Sequence, residues 1–243
     1  MARIPRVVAS GYPHHITQRG TDQKPVFFED RDRFVYLRLI RHAAERYGVE
    51  FSGFCLMTNH VHLIAVPQTP ESLHLAMKWA HTAYARYVHA SHGGCGHLWQ
   101  ARYFSCVLAG AHVWNALAYV ELNPVRAGIV ERAEHHPWSS AAEHLGLSAS
   151  RLPLASDSWL GDFDPPGWRQ FLGLRRQDTE FAPALRQATQ TGRPMAPESA
   201  INRLEEELGR SLRPLKRGRK ALQPEQPVQS EPTEAQSVSL IGN

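Results

Sequence analysis

The chain is poor in cysteine, with only Cys55, Cys95 and Cys106 among its 243 residues. Three thiols without a CxxC pair build no even disulfide framework, which excludes a disulfide-stapled scaffold and points to a reducing compartment. Long apolar runs are missing as well. The nearest, VLAGAHVWNALAYV at 107–120, is shorter than the roughly 20 residues a membrane-spanning helix needs and is interrupted by His112 and Asn115. The opening MARIPRVVASGYPHH has two early arginines but too short an apolar stretch for a signal peptide. A soluble cytoplasmic protein with no membrane partner is expected. There is no P-loop and no GxGxxG, so no nucleotide cofactor is expected, and nothing marks a Ser-His-Asp or Cys-His nucleophile system. Internal repeats at solenoid spacing are absent too. An excess of one charge is barely present: Lys and Arg total 27 against 23 for Asp and Glu, net +4, which suits a nucleic-acid partner without requiring one.

What is present is a sequence of alternating periods. YPHHITQ at 12–18 ends at Arg19-Gly20 and predicts a strand and turn. EDRDRFVYLRLIRHAAERYG carries Phe34, Leu37, Ile40 and Ala44 at helical spacing, acidic at the front and closed by Gly48. VEFSGFCLMT and HVHLIAVP, separated by little more than Thr58-Asn59, predict an antiparallel hairpin. Thr69-Pro70-Glu71 predicts a capped start, with Pro at the first helical position, for a helix running to Val88. The loop HGGCGH precedes LWQARYFSCVLAG, a fourth strand, and AHVWNALAYVELNPVRAGIV forms a last helix disturbed at Pro124 and closed near Gly128. The order strand, helix, strand, strand, helix, strand, helix is that of a split β-α-β sandwich, an α+β fold with helices packed on an antiparallel sheet.

Beyond about residue 145 breakers multiply, and a C-terminal extension of short helices and turns is expected over 146–212, including a charged helix at 198–210. The segment RPLKRGRK at 213–220 holds five cations in eight positions. From Ala221 the chain is rich in Gln, Pro and Ser and cannot offset its ordering entropy, so residues 213–243 are expected to be a basic segment and a disordered tail.

Two constellations carry chemistry. If 60–66 is a strand, His60 and His62 project from one face, because side chains alternate with period two, and two imidazoles on one face can share a divalent cation. With fourteen histidines in the chain, chance alone supplies about one His-x-His triplet, so a half-buried pair on a wet sheet face is the competing reading. Tyr119 and Asn123, four apart, share a helix face and present a phenol beside a carboxamide. Alternatively, Tyr119 is a core aromatic and Asn123 a C-terminal helix residue before proline. His92, Cys95 and His97 suggest zinc more weakly, with three candidate ligands in six residues and no fourth nearby.

Taken together and in order, HHITQRG, LMTNHVHLIAVP, GHLWQARYFS, YVELNPVRAGIV and HPWSS resemble the single-tyrosine transposases of the HUH endonuclease superfamily, particularly the REP-associated tyrosine transposases. The resemblance covers about residues 10–145 and makes residues 1–145 the transposase-like domain. It implies a ferredoxin-like sheet whose central strand carries the His-x-His pair, with Val61 as the apolar residue between, and a divalent cation, Mg²⁺ or Mn²⁺. By motif, His60 and His62 match the histidine ligands, Asn123 the polar residue completing the metal site, and Tyr119 the nucleophile. A phenol is a poor nucleophile at neutral pH, so it needs the cation or a nearby base. The implied product is a 5′-phosphotyrosine and a free 3′-OH, which can be rejoined without ATP.

The implied substrate is single-stranded or hairpin DNA. Gln18, Arg19, Asn59, Lys78, Arg102 and Arg126 flank the site elements and are candidate phosphate contacts, and Trp99 and Tyr103 are candidate stacking surfaces for unpaired bases. The sequence leaves open monomer or homodimer, and a tyrosine acting in cis or in trans. Two other classes remain at this stage: a hairpin-binding module that keeps the fold without cleavage, and a metal-dependent hydrolase of small substrates.

Overall fold

The computed structural model describes residues 6–152 and 164–213. Residues to Leu212 form one unit and 213–243 a second. Beyond Arg213, the expected basic segment and disordered tail lie outside the described residues. In chain order the elements are β1 (His14–Arg19), α1 (Asp30–Tyr47), β2 (Val49–Met57), β3 (His60–Pro67), α2 (Ser72–His92), β4 (Phe104–Val107), α3 (Ala111–Glu121), α4 (Asn123–Arg126), α5 (Ala141–His144), α6 (Pro165–Arg175), α7 (Phe181–Thr191) and α8 (Glu198–Leu208). The four strands form one sheet in the order β2-β3-β1-β4, antiparallel throughout, which is the ferredoxin-like arrangement.

Strand parity divides the molecule into two layers. Ile16, Val61, Leu63 and Ala65 face α1 and α2 and bury Tyr36, Leu37, Ile40, Met77 and Tyr84 against them. Full burial of side chains of this size is worth about 1.5–3 kcal/mol each. The opposite face carries Cys55, Ile64 and Cys106 and is covered by α3 and α7, with α6 packed on α3. The functional histidines of the sequence reading lie on this second face, where Thr17 pairs with His62, Arg19 with His60, and His15 with Ile64.

Local differences from the sequence reading have identifiable causes. Helix α1 starts with a capping box between Glu29 and Asp32 and stops at Gly48 in a left-handed conformation. Phe34 is not part of its core stripe; it is 57% exposed and meets Trp138 edge to face. Helix α2 begins at Ser72 rather than at Pro70, because Ser72 Oγ accepts from the Thr69 amide and so turns the Thr-Pro-Glu stretch into the lead-in. The fourth strand is confined to four residues; the 98–103 stretch instead runs along the sheet end, with Trp99 bridged to Gly20. The last helix divides at Leu122 into α3 and α4, with Pro124 accommodated in the first turn of α4 and Gly128 following at positive φ.

One buried carboxylate ties the extension to the helix that bears Tyr119. Glu121 is wholly buried; its Oε1 accepts from Ser140 Oγ at 2.6 Å and His144 Nδ1 at 2.5 Å, and its Oε2 accepts from Trp168 Nε1 at 2.9 Å. Three donors on a carboxylate meet the requirement that a buried charge be hydrogen-bonded.

Candidate active site

The β3 end of the hairpin is fixed before any ligand arrives. Thr58 C=O in the two-residue turn accepts from the amides of Val26 and Phe27, and Asn59 C=O accepts from Gly20. His60 therefore begins β3 in a defined register, and His62 follows on the same face, their ring centroids 5.0 Å apart. Across the cleft, α3 places Tyr119 with its ring edge-on to His62 at 5.6 Å and to His15 at 5.9 Å. Asn123 lies one turn on, its Nδ2 donating to the carbonyls of Tyr119 and Val120 at 3.2 and 3.3 Å. That commitment of the nitrogen turns the carboxamide oxygen away from the α3 end.

These four residues, with Arg19 and Arg126, line one cavity of about 1060 Å³. Arg126 donates to the Tyr119 carbonyl and lies over its ring at 4.2 Å, packing the aromatic between a guanidinium and the histidines. His60, His62, Tyr119 and Asn123 are thus brought together within a single chain.

The histidines are held neutral. Burial, with Arg19 nearby, pushes His60 down to about 4; burial and the surrounding His15, His60, Arg126 and Arg19 push His62 well below its usual value. His60 donates from Nδ1 to Asn59 Oδ1 at 2.6 Å, because Asn59 Nδ2 is already spent on Gln23 C=O at 2.9 Å. The His60 Nε2 lone pair is left over. A divalent cation takes neutral imidazole and amide oxygen as ligands, and two imidazole nitrogens with one carboxamide oxygen are the donor set on offer, so the residues fit such an ion.

The nucleic-acid candidates separate into two groups. Arg19 and Arg126 line the site cavity. Gln18, Lys78, Trp99, Arg102 and Tyr103 line a second cavity of about 710 Å³ on the α2 side. Gln18 faces that side because it alternates with Arg19 along β1, and it donates to Ala101 C=O at 2.6 Å. Tyr103 is 4% exposed and has the Arg6 guanidinium 3.7 Å above its ring, so it is a wall rather than a stacking platform. The Trp99 indole N–H donates to His81 C=O at 3.1 Å and its ring packs on His81, leaving it half-buried. Asn59 lies in neither cavity; its carboxamide positions His60. Gln100 and Ala101 border both cavities.

Among the described residues the HGGCGH loop makes no metal cluster, since His92 turns to Asp32 at 2.9 Å and Cys95 is exposed. Glu29, Asp32 and His92 do approach one another, with ligand atoms within 4.8 Å. The Asp32 oxygens, however, already accept from the amides of Phe28 and Glu29, from Tyr87 and from His92. That group is a helix cap with a histidine partner.

Sequence reasoning did not place His15 at the site, nor α7, a helix within the expected extension that brings Arg186, Thr189 and Gln190 to the cavity. His15 was accessible through parity, because it shares a strand face with Thr17 and Arg19. The signal for α7 was fainter: Ala182, Leu185 and Thr189 at helical spacing, ended by Gly192 in a left-handed conformation.

Fold and site together define a ferredoxin-like domain with a helix-borne tyrosine facing two sheet histidines. Residues 9–123 match the family described as IS200-like transposases, a little under half of the chain. A solved structure described as a REP-associated tyrosine transposase bound to a REP hairpin superposes with a TM-score of 0.52 at 17% identity, covering 65% of this chain and 93% of the other. A crystallised chain from Deinococcus radiodurans R1 is also 17% identical, over 52% of this chain and 92% of its own; its TM-score of 0.34 is too low to bear on the fold. No curated protein matches the chain. Among the described residues no helix is long and apolar enough to cross a membrane.

Proposed function

We propose that the protein is a divalent-metal-dependent strand transferase that cleaves and rejoins single-stranded hairpin DNA through Tyr119. The observation that carries this reading is the convergence of His60, His62, Tyr119 and Asn123 in one arginine-lined cavity. His60 Nε2, His62 Nε2 and Asn123 Oδ1 would hold the cation, Mg²⁺ or Mn²⁺, which when bound supplies Lewis-acid polarisation of the scissile phosphate. Arg19 and Arg126 neutralise the phosphates on either side of the scissile bond. The Tyr119 oxygen attacks the phosphorus, the bond to the 3′ oxygen breaks, and the 5′ end is retained as a phosphotyrosine. A new 3′-OH reverses the exchange without ATP. Tyr119 and His62 meet within one chain, which supports a tyrosine acting in cis and a competent monomer.

The α2-side cavity, which shares Gln100 and Ala101 with the site cavity, is of a size for one or two nucleotides and offers Lys78 and Arg102 to their phosphates and the open face of Trp99 to a base. The hairpin carried by the REP-associated relative supports a hairpin as the substrate class.

Tyr119→Phe is expected to abolish the covalent adduct with a labelled hairpin oligonucleotide in Mn²⁺, seen on a denaturing gel, while hairpin retention in a native gel stays at wild-type level. An undiminished adduct excludes Tyr119 as the nucleophile. Wild-type protein that retains the hairpin but yields no metal-dependent product is a binding module instead.

A further inference from the structure

The second sheet histidine does not stand alone. His62 Nδ1 lies 2.9 Å from His15 Nε2, His15 Nδ1 lies 2.8 Å from Thr189 Oγ1, and Thr189 Oγ1 lies 2.8 Å from Leu185 C=O. All of these side chains are buried, and the series runs from β3 through β1 to the last turn of α7.

Its polarity follows from one end. A carbonyl oxygen only accepts, so the Thr189 hydroxyl proton is spent on Leu185. Thr189 Oγ1 must then accept from His15, which places the His15 proton on Nδ1. His15 is 1% exposed and its two ring nitrogens meet Thr189 Oγ1 and His62 Nδ1, neither of them a carboxylate that would stabilise a charged ring, so the ring is neutral and its Nε2 is an acceptor. His62 must in turn donate from Nδ1. Cys106 Sγ, 3.3 Å from Thr189 Oγ1, fits the same direction, since burial pushes its thiol up to about 12 and keeps it a donor.

We propose that Thr189 and His15 are positioning residues that set the tautomer of His62 from α7, so that its Nε2 lone pair, rather than an N–H, faces the cavity. His60 reaches the same tautomer independently through Asn59. The two cation ligands are thereby set by separate parts of the chain, one of them 66 residues beyond the end of the family-matched segment at residue 123. The role of the lone pair rests on the metal site proposed above; the tautomer does not.

The test uses the full chain. In metal-free protein, long-range ¹H–¹⁵N correlation of the imidazoles is expected to give His62 and His15 as Nδ1–H tautomers in the wild type and in Thr189→Ser, which keeps the hydroxyl. In Thr189→Val, similar in shape but without an acceptor, His15 and His62 are expected to populate the Nε2–H form, and Mn²⁺ affinity, measured by titration calorimetry, to fall about 10- to 100-fold. Serine is expected to restore both. Finding His62 as Nε2–H in the wild type overturns the proposal even if the valine variant does not fold, and so does an unchanged tautomer in a folded Thr189→Val. Wild-type protein with the Nδ1–H tautomer but no affinity for Mn²⁺ leaves the relay intact and sinks the metal site instead.

Discussion

At the scale of single residues, the site is an exercise in where protons are kept. Alternation along β3 made the His60 and His62 pair legible in the sequence, and helical spacing did the same for Tyr119 with Asn123. What spacing does not carry is the hydrogen-bond partner that turns each ring, because those partners come from other strands, turns and helices. Asn59 illustrates the point: beside a cationic site it reads as a phosphate contact, yet its two amide atoms are taken by Gln23 C=O and His60. Asn59→Ala is therefore expected to weaken Mn²⁺ binding about 10-fold or more, with hairpin affinity in a chelator unchanged. The opposite pattern, lost DNA affinity with intact metal binding, would return Asn59 to the DNA surface.

Among the elements, α3 is the one whose placement matters most, and a glycine lets it lie close. A Cβ on Gly53 in β2 would fall 2.3 Å from Leu117 Cδ1 and 3.1 Å from Ser140 Oγ, the hydroxyl that serves Glu121. Gly53→Ala is expected to cost about 1–3 kcal/mol in chemical denaturation and to slow adduct formation, since the buried Leu117 side chain or α3 itself has to shift to make room; wild-type stability would show that the contact is soft. Helices α1 to α3 and the hairpin were legible because each buries a periodic face against the sheet. Helix α7 was obscured because its buried face is short and partly polar, with Thr189 where an aliphatic residue would have announced a core position. β4 shrank for the converse reason: an apolar and aromatic run extends on either side of the four residues that find a partner strand.

For the molecule as a whole, several histidines are buried neutral, and this sets how stability responds to acid. Outside the site, burial pushes His14 down to about 4 and His81 to about 3. His14 is bonded to Tyr12 C=O and His81 to the Tyr36 hydroxyl, so neither has a carboxylate to stabilise a charged ring. In the unfolded chain both protonate near an ordinary histidine value of about 6.5. Between there and the lower folded values the unfolded state binds more protons, so stability falls as pH drops and is level above about pH 7. Each such histidine contributes a slope of up to about 1.4 kcal/mol per pH unit. Thermal melts from pH 8 to pH 4 should show a plateau and then a steep decline; a profile level down to pH 4 would mean that these rings charge without unfolding.

The cavity wall supplied by α7 divides the labour along the chain. The residues proposed to exchange phosphodiester bonds are complete by Asn123, whereas Arg186 and Gln190, which face the same space, come more than sixty positions later. A nucleic-acid strand entering the cleft would therefore rest against a helix that carries none of the reacting groups. On the function proposed here, substrate preference would be retuned by rewriting that helix's outward residues, so long as one hydroxyl on its inner side stays in place.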